Sequence, residues 1–73
     1  MRLPMVTARK LIAALKRAGF EERRQRGSHL YLWQPIRKLE TCVPIHPGDL
    51  KRNVVRAIMQ QAGLSEDEFR KFL

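Results

Sequence analysis

Two tight turns, Arg26-Gly27-Ser28 and Pro35 to Lys38, cut residues 20–46 into three short segments and leave this part of the chain few ways to fold. Gly27 accepts the positive φ that a hairpin turn asks for. The third segment has the clearest pattern. Leu39, Thr41, Val43 and Ile45 alternate with Glu40, Cys42, Pro44 and His46, the period of a strand with one buried face. His29 to Gln34 is dense in aromatic and aliphatic strand formers, and Phe20 to Gln25 reads as a short strand, polar except for Phe20. Three strands joined this closely predict an antiparallel meander.

The flanks carry a helical period instead. Ala8, Leu11, Ile12, Leu15 and Ala18 predict a helix over 8–18, with Thr7 as its N-cap and Gly19 as its stop. Leu50, Val54, Ile58 and Ala62, helped by Val55 and Met59, predict a second helix over 50–62 that Gly63 ends. Ser65-Glu66-Asp67-Glu68 is a capping box opening a short helix, 66–72, that buries Phe69. The expected fold is therefore α+β, in the order α-β-β-β-α(α), with one three-stranded antiparallel sheet covered on one face by helices. One domain takes in residues 1–73. The layout resembles the double-stranded-RNA-binding fold, which by itself assigns no function.

A chain of 73 residues buries only about 60% of its unfolded surface, so a deep cleft is not expected. Any site should be shallow, at a sheet edge or a helix end. Fifteen Lys and Arg against seven Asp and Glu give a net charge of +8. The excess sits in residues 1–56, which hold 13 basic and 4 acidic side chains, a net of +9, whereas 57–73 come to −1. Such a body suits a polyanion: a nucleic acid, or an acidic protein that imitates one. Cys42 is the sole cysteine, so neither an internal disulfide nor a paired-cysteine metal site is available. No metal or other cofactor is called for. The N-terminus has no signal-peptide core and no apolar run has membrane-spanning length, which makes the cytoplasm the expected location and a membrane partner unexpected.

If the second turn closes tightly, so that Gln34 faces Leu39, then His29 falls opposite Pro44. His46, two residues on, becomes a diagonal neighbour at about 7–8 Å. Two histidines and Ser28 then converge with the start of the second helix, where Lys51 and Arg52 stand, while Arg24 and Arg26 arrive on the neighbouring strand. Those four and Arg23 are the candidate RNA-binding residues. With the leucines of the second strand inward, Tyr31 and Trp33 lie outward beside His29. Imidazole, with its reference pKa of about 6.5, gives and takes protons near neutrality, and guanidinium groups neutralise charge developing on a phosphodiester. Metal-free RNA cleavage, in which the 2′-hydroxyl attacks its own phosphate, is the economical chemistry for this set. Each residue also has a plainer role. His29 can simply open a strand, His46 can cap the loop before the helix, Ser28 can make a turn bond, and the two aromatics can serve packing or a protein contact.

Leu15-x-x-x-Gly19-Phe20, Arg26-Gly27-Ser28-His29, Val43-Pro44-Ile45-His46, and Ala57-Ile58 through Ala62-Gly63-Leu64-Ser65 to Glu68-Phe69 occur in that order over about residues 7–72. In these segments the chain resembles HicA-type toxins of the YcfA-like family, the mRNA interferase halves of HicA–HicB toxin–antitoxin pairs. The resemblance implies a double-stranded-RNA-binding-like fold and an endoribonuclease that cleaves mRNA without a metal and arrests translation. It implies a catalytic histidine, which maps onto His29; His46 and Ser28, from their place beside it, are the helper candidates. It also implies a HicB-type antitoxin that covers the site in a hetero-oligomer. Members often carry His or Arg straight after the catalytic histidine and a second His before the turn proline; Leu30 and Gln34 stand there in this chain. A non-catalytic RNA-binding module on the same basic surface, and a docking domain for an acidic partner, are the competing functions.

Overall fold

Thr7 starts the first helix, α1 (Ala8–Arg17), by accepting a hydrogen bond from the Lys10 N–H at 3.2 Å. Leu11, Ala14 and Leu15 form the buried stripe of α1, and Lys16 and Arg17 lie in its last turn, where cations favour the helix dipole. The helix ends one residue earlier than the periodicity predicts. Gly19 takes φ 96°, and the Phe20 N–H turns back to donate to the Leu15 carbonyl at 3.0 Å. Phe20 thus closes the helix and buries its ring, so the first strand, β1 (Glu21–Arg26), starts a residue later than expected.

This is a computed structural model describing residues 3–73; residues 1–2 of the expected single domain lie outside the described part. The strands β1, β2 (His29–Gln34) and β3 (Leu39–Pro44) form one antiparallel sheet in the order β1-β2-β3. The predicted register holds at both ends of the second hairpin, with Gln34 opposite Leu39 and His29 opposite Pro44. Pro44 lies on an edge strand, where a missing N–H is tolerated. The next residue continues the ladder, the Ile45 N–H donating to the Ser28 carbonyl at 2.6 Å.

Leu30, Leu32, Thr41 and Val43 point from the sheet into a core shared with Leu11, Leu15, Val55, Ile58 and Phe69. The helices therefore cover one face and leave the other open. Buried Thr41 is satisfied by donating to Gln61 Oε1 at 2.8 Å. Ile45, expected inward on the strand pattern, is 38% exposed; it lies just past the last residue of β3, held by its bond to Ser28.

The second helix, α2 (Arg52–Ala62), also starts later than the expected residue 50. Residues 49 and 50 are held by the N-terminal segment: Asp49 bridges to Thr7, and the Leu50 N–H donates to the Val6 carbonyl at 2.8 Å. Gly63 ends α2 in the left-handed region at φ 68°. The last helix, α3 (Glu66–Phe72), has the expected reciprocal cap between Ser65 and Glu68 and fully buries Phe69. Phe72 packs partly against the core, whereas Leu73 is 45% exposed.

Candidate nucleic-acid interface and active site

Burial alternates along β2, with Leu30, Leu32 and Gln34 inside, so His29, Tyr31 and Trp33 form a row on the open face. His29 is exposed at the end of that row. Across from it, Arg26 is its directly opposite partner on β1, which puts the two Cβ atoms about 4.5–5.5 Å apart. On its other side stands Pro44, and two residues further His46 is exposed in the loop that leads to α2.

A cleft of ≈ 430 Å³ opens at this end of the sheet. Its lining includes His29, His46, Asp49 and Lys51, with Pro44, Pro47, Leu50 and Val54 as its apolar part. The structure thus brings together both histidines and Lys51, as the register argument expects. On its far side His46 also borders a larger open groove of ≈ 690 Å³ beside the start of α1, lined by Ala8, Ala13 and Ile45 among others. His29 does not line that groove, so the smaller cleft, which both histidines share, is the candidate site.

The remaining candidates divide. Ser28 is exposed in the turn, and its carbonyl carries the ladder bond from Ile45. Arg24 and Arg26 pair with Tyr31 and His29 across the β1–β2 ladder. Arg52 is absent from the cleft lining; its Nε donates to the Leu3 carbonyl at 3.0 Å and ties down the N-terminal segment.

Three features lie outside the sequence expectations. A bulge between Glu22 and Arg24 leaves Arg23 without a partner in the ladder. On one side of it Glu22 faces the helix layer and pairs with Lys16, while Arg23 and Arg24 both reach the open face. There Arg23 Cζ lies 4.8 Å from the Trp33 ring centre and Arg24 Cζ 4.5 Å from that of Tyr31. The strand Glu21–Arg26 is polar and exposed throughout, so no alternation marked the slip. The second feature is Glu40, opposite Trp33 on β3 and 3.5 Å from the Arg23 guanidinium. The third is Asp49, a carboxylate in the cleft; the His46-Pro47-Gly48-Asp49 loop was the signal available for it.

Chemically, the site offers two imidazoles able to exchange protons, a lysine and two strand arginines able to hold phosphate. Among the described residues, no three His, Cys, Asp or Glu side chains are grouped so as to hold a metal ion. No helix of the described residues is long and apolar enough to cross a membrane. Comparison with family models matches residues 8–64 to the family described as HicA toxin of bacterial toxin-antitoxin. Among curated proteins no match is found.

Proposed function

Since the chain belongs to the HicA toxin family of bacterial toxin–antitoxin systems, we propose that it is an endoribonuclease that cleaves mRNA by histidine acid–base catalysis and so arrests translation. His29 takes the proton of the attacking 2′-hydroxyl or delivers one to the leaving 5′-oxygen. His46, on the same cleft, is the natural second proton carrier or a phosphate ligand, and Ser28 is a helper beside it. Arg24, Arg26 and Lys51 bind the RNA backbone and offset the charge that builds on the phosphorane, and Arg23, paired with Glu40, holds the RNA at the Trp33 ring that it covers. Arg52 contributes at most to the surrounding field, being held by Leu3.

The observation that supports this reading best is the exposure of His29 at a cleft that it shares with His46 and Lys51, with Arg26 directly across the ladder. A histidine kept only to begin a strand needs no such company. A toxin of this family has a cognate antitoxin; we assign it the HicB type, masking this face in a hetero-oligomer, with both proteins acting in the cytoplasm.

The test is the chemistry of the product ends. Attack by the 2′-hydroxyl leaves a 2′,3′-cyclic phosphate, so one 2′-deoxy substitution at the cleaved nucleotide should abolish the cut, and EDTA should leave the rate unchanged. Cleavage of the deoxy-substituted strand, or strict dependence on an added metal, would contradict the mechanism. Tight RNA binding with no cut ends at all would favour the non-catalytic module.

A further inference from the structure

The open face of the sheet carries more than charge. Trp33 and Tyr31 stand two residues apart on β2 in the row that ends at His29, and the apolar core lies on the opposite face. Each ring has a guanidinium laid over it, from Arg23 at 4.8 Å and from Arg24 at 4.5 Å. Two consecutive residues of a regular strand point to opposite faces. The bulge between Glu22 and Arg24 is what lets both arginines reach this one.

We propose that this ladder of rings and guanidinium groups is a stacking platform for two unpaired bases of a single-stranded RNA, which it delivers to His29. The proposal rests on the ribonuclease reading of His29 and specifies the form of its substrate. Unstacked bases have free π-faces that stack on aromatic rings or on arginine planes. In an A-form duplex those faces are covered by neighbouring bases, and a protein meets only phosphates and 2′-hydroxyls. Spacing argues the same way. Residues two apart on a strand are separated by about 6.6 Å, roughly twice the 3.4 Å rise per nucleotide of a stacked strand, so bases held at Trp33 and Tyr31 are splayed apart.

Charge sets the direction. Glu40 is opposite Trp33 and pairs with Arg23 at 3.5 Å, which orients that guanidinium over the ring and repels a phosphate at that end. Among the described residues Arg24 and Arg26 pair with no carboxylate, and they lie across from Tyr31 and His29. The backbone therefore runs along the Arg24–Arg26 end, beside the imidazole, while a base occupies the Trp33 end.

The experiment is binding in the His29→Ala background, with a short single-stranded RNA and a duplex of equal length. Trp33→Leu and Tyr31→Leu should each weaken single-strand binding by about 5- to 150-fold. Both should leave duplex binding and the salt dependence alone, since a ring carries no charge, and Trp33→Phe should retain most of the affinity. The unsubstituted ring gives a readout that does not depend on the variants folding: Trp33 emission should be quenched by the single strand and not by the duplex. No quenching, equal losses on single strand and duplex, or a loss of affinity confined to an acidic protein partner would overturn the platform. Cleavage is scored separately. If His29→Ala still cuts RNA, the nuclease role of His29 fails while the binding result stands. If the cut is lost but the ring variants bind RNA normally, the platform fails and the nuclease survives.

Discussion

Gln34 shows what one side chain does at a position where the family resemblance leads one to expect histidine. It is only 7% exposed. Its Oε1 accepts from the Ile36 and Arg37 N–H groups at 2.7 and 2.9 Å, closing the β2–β3 turn, and its Nε2 reaches the Ala18 carbonyl at 3.5 Å. Leu30, the other departure, is 5% exposed and belongs to the core. Both departures therefore serve the fold rather than the open face of the sheet. Removing the Gln34 carbonyl strands two backbone donors, so Gln34→Leu should cost about 1–3 kcal/mol of stability in denaturant titration, with the cleavage rate at saturating RNA unchanged. Gly63 is a second such point. A Cβ there would lie 2.9 Å from Arg37 Nη2, on a backbone already at positive φ, and Gly63→Ala should lower the unfolding midpoint.

At the scale of elements, the strands were legible wherever a buried face imposed alternation. The register between Gln34 and Leu39 followed from the turn length, and the start of α3 followed from its cap. What stayed hidden was fixed by partners distant in sequence. Leu50 looks helical from its spacing but pairs with Val6, and the all-polar β1 gives no sign of where its bulge falls. The catalytic candidate was visible as a histidine beside a basic turn; the rings with guanidinium groups over them were not, because they depend on that bulge. The α3 cap yields a pH prediction. The backbone N–H and the hydroxyl of Ser65, both hydrogen-bonded in the cap with Glu68, hold the Glu68 carboxyl below the ordinary glutamate range. A depressed folded-state pKa stabilises fully above the unfolded value, and that contribution is lost as pH falls through the folded value. The stability gap between wild type and Glu68→Gln, followed by thermal unfolding against pH, should be largest near neutrality and shrink in acid below the usual carboxylate range. A gap that grows on acidification would contradict the cap's role.

Taken as a whole, the molecule separates its tasks by face. Helices and core lie on one side of the sheet, and Arg23, Arg24 and the exposed end of the sheet at His29, the proposed RNA surface, lie on the other. The acidic first turn of α3, Glu66 to Glu68, belongs to the region of net charge −1, away from the excess of +9 in residues 1–56. RNA affinity should therefore fall steeply with salt, and Arg26→Gln or Lys51→Gln should each reduce the log–log slope by about 0.7, one single-strand phosphate contact. Arg52→Gln, whose native guanidinium is held by Leu3, should change the slope less. The central claim is that the exposed imidazole at position 29 moves the proton. Its most direct test is the cleavage rate of the His29→Ala protein under conditions where RNA binding and the unfolding midpoint match wild type. The account predicts a loss of about 100- to 10,000-fold with both controls intact; a rate within a few-fold of wild type would contradict it.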